Sequence, residues 1–365
     1  MKTRKYLAMI LVVVMLAAAF AGCGQTAAPV EPAPAPVPAP VPTEAAADDV
    51  VSDDGAIAGG VPQPDGFPSK TINWIIPVAA GATVDIPCRG LVDVLDLGES
   101  VVIENIAGAS QTVGTTEASI RDADGHTLLT MANASGIIQP IINDVAYSVD
   151  DFRNIAMITP TLPTVLAVRA DSPIQTLDDW FALLESGERY SYGIPSAGGI
   201  GHLALYTTLK ALGHEGDPNA TMAVYNGGAE NITALLSGEV DFTIPDASDA
   251  ISRVNNGEMR VLAIMSDEPC HLFPDVPVMT DYGVEGIGTF VSLKWIAVRA
   301  DTPDEIVEWL KQEINKAIQT QEYQEYLHTQ GYDSMREYTE EEIDEILATA
   351  RKDYEVALKA LGLAG

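Results

Sequence analysis

The stretch NWIIPVAAGATVDIPCRGL, residues 73–91, changes character twice. An apolar run reaches Pro77, and the small residues Ala79, Ala80, Gly81 and Ala82 follow it, with no carboxylate until Asp85. From Val84 the apolar positions 84, 88, 91, 92 and 95 then recur as the stripe of a core-facing helix. A strand therefore feeds a helix through a nearly side-chain-free loop. In open α/β sheets ligands bind beyond the carboxyl ends of strands, where helix starts present unpaired N–H groups. Such a loop lets a ligand touch backbone, and the helix start supplies partial positive charge without Lys or Arg.

Outward from this unit the same grammar repeats. Residues 99–106 read as a strand, 109–122 as a helix, and 126–132 as a strand after the turn Asp124-Gly125. "RYSYGI" (189–194) enters the loop "PSAGGIG" (195–201), after which Leu205, Tyr206, Leu209 and Leu212 line a helix. "TMAVYNGG" (221–228) enters a helix stopped at Ser237-Gly238. Strands at 239–246, 259–265 and 293–300 and helices in 303–320 and 340–362 complete the chain. This alternation predicts an α/β fold with mostly parallel sheets covered on both faces. "TVLAVRADSPIQTLDDW" (164–180) and "KWIAVRADTPDEIVEWL" (294–310) resemble each other. Either the chain crosses between two lobes at these points, or two similar units share one sheet. Pro173 and Pro303 fit the first turn of the helices that follow.

Three small-residue loops, at 79–83, 195–201 and 225–231, each join a strand end to a helix, and together they suggest a cleft that holds a small anion or polar molecule by backbone. None is a G-x-G-x-x-G or P-loop sequence, so no nucleotide site is expected. Asp85 is either first-turn charge or a ligand contact, Asp246 either faces the cleft or caps the next helix, and Tyr225 either donates to a ligand or packs as core. No catalytic set emerges: Ser196 lies near His202, but "IPSAG" is not G-x-S-x-G. The five histidines are scattered without metal-ligand spacing, so neither a metal nor a cofactor is expected.

The first residues concern location. Lys2, Arg4 and Lys5 precede the apolar run 6–20, which is short for a membrane span and reads as a secretory signal. "FAGC" (20–23) looks like a bacterial lipobox with Phe20 in place of the usual Leu, making residues 1–22 a lipoprotein signal and Cys23 the lipidated residue. Residues 23–66 form a Pro/Ala-rich linker whose alternating prolines favour extended polyproline II, a semi-rigid stalk. With 52 acidic against 20 basic residues the chain has a net charge of −32, which argues against nucleic acid and anionic lipid as partners. Cys88 and Cys270 are expected as two thiols rather than a disulfide.

The segments "FPSKTINWIIPVAAGATVDIPCRGLVDVL", "VVIENIAGASQTVGT", "DADGHTLLTMANAS", "YGIPSAGGIGHLA", "VYNGGAENITALLSGEVDFTIPDASDAI" and "FPDVPVMTDYGVEGI" resemble, in collinear order across 67–365, the substrate-binding proteins of tripartite tricarboxylate transporters, the Bug-type extracytoplasmic solute receptors. The resemblance implies a type II periplasmic-binding-protein fold, with two doubly wound lobes and a ligand cleft between them. Residues 67–165 and 292–365 would form the first lobe and 166–291 the second. It implies a monomeric, non-enzymatic receptor, lipid-anchored outside a bacterial cell membrane, that captures a small carboxylate or related amide and delivers it to the transporter's membrane subunits. Signalling to a membrane sensor kinase is the alternative. By resemblance the anchoring loop is Ala79, Ala80, Gly81, Ala82, Thr83 and Asp85, and the facing loop Ser196, Ala197, Gly198, Gly199, Gly201 and His202. Asn133, Ser135, Tyr225, Asn226, Gly227 and Asp246 match further cleft-lining segments. Ala82 stands where the family has a second glycine, and Pro87 where it has an ordinary helix residue, which puts the helix start near Ile86.

Overall fold

The computed structural model describes residues 60–160, 162–225, 227–332 and 334–365. The expected signal peptide with Cys23, most of the expected linker and Asn226 lie outside the described residues. In chain order the elements are β1 (Ile72–Ile76), α1 (Asp85–Val94), β2 (Val101–Asn105), α2 (Thr112–Ser119), β3 (Thr127–Ala132), β4 (Phe152–Met157), β5 (Thr164–Arg169) and α3 (Leu177–Glu185). They continue as β6 (Tyr190–Ile194), α4 (Ile200–Ala211), β7 (Ala220–Val224), α5 (Gly228–Ser237), β8 (Phe242–Thr243), α6 (Ala247–Asn255) and β9 (Met259–Met265). The chain closes with β10 (Lys294–Arg299), α7 (Asp304–Ile318), α8 (Gln321–Thr329) and α9 (Glu340–Ala360). A π-helical turn, Ala134–Ile138, follows β3 directly.

Two five-stranded sheets share one plan. The first runs β2-β1-β3-β10-β4 and the second β7-β6-β8-β5-β9. In each, three strands pair in parallel, and one reversed strand, β10 or β5, is inserted antiparallel to both neighbours. Half of the ladders are thus antiparallel, which corrects the mostly parallel pairing expected. The reversed strands are the two similar segments 164–180 and 294–310, and each is the first strand laid down after the chain arrives from the other sheet. The two crossings meet: Leu162 and Ser292 form an antiparallel bridge, with the Ser292 N–H donating to the Leu162 carbonyl at 2.8 Å.

Strands buried on both faces need near-continuous apolar runs. β3 and β5 meet this need, each buried at all but one position, and the indoles of Trp74 and Trp295 fill the first sheet's core. Trp74 Nε1 donates to Thr130 Oγ1 at 2.8 Å, so its polar edge is satisfied inside that core. α9 belongs to the first sheet's packing yet reaches the second: a Cβ on Gly198 would lie 3.0 Å from Leu358 Cδ2. Three expectations shift locally. α8 went unread because its sequence, QEYQEYLHT, buries only Tyr323 and Leu327. The expected strand 239–246 shortens to two residues. The expected helix 109–122 begins only at Thr112, after a left-handed segment.

Candidate ligand-binding cleft

A cavity of about 270 Å³ lies between the two lobes. The first lobe contributes Thr83 and Val84 before α1, Gln111 before α2, and Asn133, Ala134 and Ile138 after β3. The second contributes Ser196, Gly199, Ile200 and Gly201 at the start of α4, Gly227 and Gly228 at the start of α5, and Asp246 and Asp249 at the start of α6. Ser292 and Lys294 enter from the returning crossing.

The opening loop is folded onto itself. Gly81 takes a left-handed turn (φ 82°), whereas Ala82 does not, so the absence of a second glycine costs nothing there. The Ala82 N–H donates to the Ala79 carbonyl at 3.2 Å, and the Asp85 and Ile86 N–H groups both donate to the Ala82 carbonyl at 2.8 and 3.1 Å. Pro87 has no N–H to offer. Asp85, fully buried, accepts from the Gly81 N–H (2.7 Å), Arg89 Nε (2.6 Å) and Asn105 Nδ2 (2.7 Å). Burial alone would raise its pKa, but the bonds from Arg89, Asn105 and Gly81 outweigh burial and hold the carboxyl below its ordinary range. Asp85 is a clasp of its own loop.

The facing loop is arranged differently. The Gly199 N–H donates to the Ser196 carbonyl at 3.2 Å, and the Gly198 N–H donates to His202 Nδ1 at 2.9 Å. The His202 ring is buried, and burial depresses its pKa to about 4, so it is a neutral acceptor at neutral pH. Gly201 is required by packing, since a Cβ there would stand 2.4 Å from the Ile244 carbonyl. The first N–H groups of α4 have no partner within the helix and face the cavity end of the element. Tyr225 turns away, its hydroxyl donating to Glu239 at 3.0 Å.

Charge enters from three side chains. Lys294 is buried, and its Nζ donates to Ser292 Oγ at 2.9 Å and Tyr332 Oη at 3.2 Å. Among the described residues no carboxylate oxygen pairs with it within 4 Å. Burial works against its charge, but Tyr332, Asp246 and Asp249 together keep its pKa above the ordinary value. Across the cavity burial raises Asp246, and burial together with the Asp246 charge pushes Asp249 up to about 7. The Asp249 carboxylate lies against the start of α5, where a Cβ on Gly228 would meet its Oδ2 at 2.5 Å.

Residues 91–363 match the model of the tripartite tricarboxylate transporter family receptor, TctC. The chain belongs to that receptor family. Protein BugT of Bordetella pertussis is 29% identical over 276 residues, covering 73% of this chain and 82% of its own. Among solved structures, R. palustris Rpa4515 with adipate superimposes with a TM-score of 0.71 at 22% identity, over 82% of this receptor and 99% of that chain. MatC of Rhodopseudomonas palustris with bound malate gives a TM-score of 0.67 at 21% identity, over 80% and 100%. The receptor thus has the two-lobed α/β fold of periplasmic solute-binding proteins.

Of the residues singled out in the receptor's sequence, Thr83, Asn133, Ser196, Gly199, Gly201, Gly227 and Asp246 stand on the cavity wall. Ala79, Ala80, Gly81, Ala82, Asp85, Ser135, Ala197, Gly198, His202 and Tyr225 do not. Several of these act one layer back: Gly81 and Asp85 shape the first loop, His202 holds Gly198, and Ser135 Oγ donates to Gln111 Oε1 at 3.2 Å. Gln111, Asp249, Ser292 and Lys294 were missed. Lys294 hides in an otherwise apolar strand, "LKWIAV", where a single lysine was the available signal. Cys88 and Cys270 are both buried and form no disulfide, and among the described residues no His, Cys, Asp and Glu cluster could hold a metal.

Proposed function

We propose that this receptor captures a small carboxylate in the interlobe cavity, outside the cell, and hands it to the membrane subunits of a tripartite transporter. The observation that carries this reading is Lys294: a buried ammonium on the wall of a cavity walled by both lobes, with no carboxylate oxygen within 4 Å among the described residues. Buried charges are ordinarily paired, and a ligand carboxylate would complete this one while the free first-turn N–H groups of α4 supply further donors. Malate and adipate in the solved relatives support the same ligand class.

Binding drives closure only through contacts that differ between open and closed lobes. Thr83 would act from the first lobe (67–165 and 292–365), its wall braced by Asn133, with Ser196, Gly199, Gly227 and Asp246 acting from the second (166–291). Cys23 would carry the lipid anchor, and the prolines of the linker would hold the receptor away from the membrane. The protein binds and releases its ligand unchanged.

Calorimetric titration of the full chain with malate, succinate, adipate, citrate and their neutral amides tests this. Binding confined to acids, and weakened about a hundredfold in Lys294→Met, is the expected result. Tight binding of the neutral amides, or acid binding indifferent to Lys294→Met, would overturn the carboxylate reading.

A further inference from the structure

The segment before α2 does what side-chain-bearing residues rarely do: Ala109, Ser110 and Gln111 are consecutive left-handed residues with φ of 43°, 52° and 78°. Each such residue costs about 1–2 kcal/mol relative to a right-handed backbone, and strain of this kind persists only where surroundings over-determine it. Here they do. Thr112 Oγ1 donates to the Ala109 carbonyl at 2.9 Å and Thr115 Oγ1 to the Gln111 carbonyl at 2.9 Å. Gly114 fixes the far side, because a Cβ there would stand 2.6 Å from the Ile106 carbonyl and 2.9 Å from Pro77 Cα.

The consequence of this backbone is the placement of one side chain. Gln111 occupies the N-cap position of α2 but makes no side-chain capping bond. It stands on the cavity wall instead, with its Oε1 accepting from Ser135 Oγ at 3.2 Å. Ser135 is itself buried, and its carbonyl accepts from the Tyr147 hydroxyl at 2.6 Å. A side-chain amide has one accepting and one donating end. With the oxygen held on Ser135, the Nε2 end is the one left for the cavity, and it has no hydrogen-bond partner among the described residues.

We infer that Gln111 is a specificity-determining residue, whose Nε2 donates to a second oxygen-bearing group on the ligand, beyond the carboxylate that Lys294 receives. The inference rests on the carboxylate reading above and narrows it: dicarboxylates and hydroxy- or oxo-acids are favoured over plain monocarboxylates of the same length. The chain holds a strained backbone so that this donor faces the ligand.

Titration of the full chain with adipate against hexanoate, and succinate against butyrate, tests it. The wild type should favour each diacid by tenfold or more, the range expected for a hydrogen bond to a charged group. Gln111→Gly suits the left-handed backbone and removes the donor, and Gln111→Glu keeps the shape but replaces the donor with an anion. Both should cut the diacid preference to about threefold or less; Gln111→Gly should leave the monoacid affinity within threefold, whereas the new anion of Gln111→Glu weakens every acid and diacids most. An equal loss for both classes would mean a structural role and would sink the inference, as would an unchanged preference in Gln111→Gly. If Gln111→Glu does not fold, Gln111→Gly decides alone. A wild type that binds monoacids and diacids equally well overturns the inference but leaves the carboxylate reading standing. A wild type that binds neither overturns both.

Discussion

Asn133 Nδ2 donates to the Tyr354 hydroxyl at 2.9 Å and to the Val291 carbonyl at 3.0 Å, while Asn133 Oδ1 accepts from the Leu293 N–H at 2.7 Å. One buried amide on the cavity wall thus ties β3 to the returning crossing and to α9. Both of its N–H donors are used within the protein, so it has none to offer a carboxylate, and its part at the cavity is to set the wall against the crossing. Asn133→Ala leaves the Leu293 N–H and the Tyr354 hydroxyl without this partner, and should cost about 2–4 kcal/mol. Tyr354→Phe should cost about 1 kcal/mol. Chemical denaturation of both single variants and the double variant should give a coupling of about 1 kcal/mol or more. Strict additivity would show that the pair does not act as a unit.

Asp85 should prove structural. Asp85→Asn keeps the volume but weakens three charge-assisted bonds, two of them the Arg89 and Gly81 contacts, and a loss of about 2–4 kcal/mol is expected in urea melts. Because its folded pKa is depressed, this contribution is present above pH 4 and is lost as pH falls through the folded value. A variant of unchanged stability that had lost ligand affinity would restore Asp85 as a ligand contact.

Lys294→Met should leave the free protein folded but about 1–3 kcal/mol less stable, since Asp246 and Asp249 lose the nearby ammonium and Ser292 and Tyr332 lose their donor. Thermal melts without ligand read this out. Addition of a bound carboxylate at about a hundred times its dissociation constant should then raise the wild type by ~2.7 kcal/mol and the variant by far less.

His202 predicts an acid-side loss. Its pKa falls from an ordinary 6.5 to about 4 in the fold, so between those values the unfolded chain takes a proton that the native ring resists. Stability is full above about pH 6.5 and declines toward pH 4, by up to about 3 kcal/mol. His202→Gln should flatten that decline in denaturation curves taken at one-unit pH steps.

Asp249 slopes the other way. Its folded pKa is raised to about 7, so the native state binds a proton that the unfolded chain lacks between about pH 7 and 4, and stability from this group grows as pH falls. Asp249→Asn should therefore gain about 1–3 kcal/mol at pH 8 and expose the histidine's acid loss more steeply. No gain at pH 8 would mean that the start of α5 compensates the carboxylate.

Local sequence determined a good deal here. The period-2 and period-3.6 apolar patterns placed most strands and helices, because burial on a sheet or helix face imposes those periods wherever they occur. The repeated segments 164–180 and 294–310 were visible for the same reason. Small residues at strand ends located the loops that converge on the cavity, since a close backbone approach leaves no room for Cβ atoms at positions such as Gly201. What the residues could not show by themselves is how distant side chains spend their polar atoms. Asp85 reads in sequence as first-turn charge or ligand contact but is consumed by Arg89 and Asn105; Ser135 serves Gln111; His202 serves Gly198. Lys294 and Asp249, separated by an entire lobe's return in sequence, meet at one cavity only because the chain crosses between the sheets twice. Burial, pairing and the resulting charge on a wall are properties of neighbours in space, and only the tertiary fold sets which residues those neighbours are.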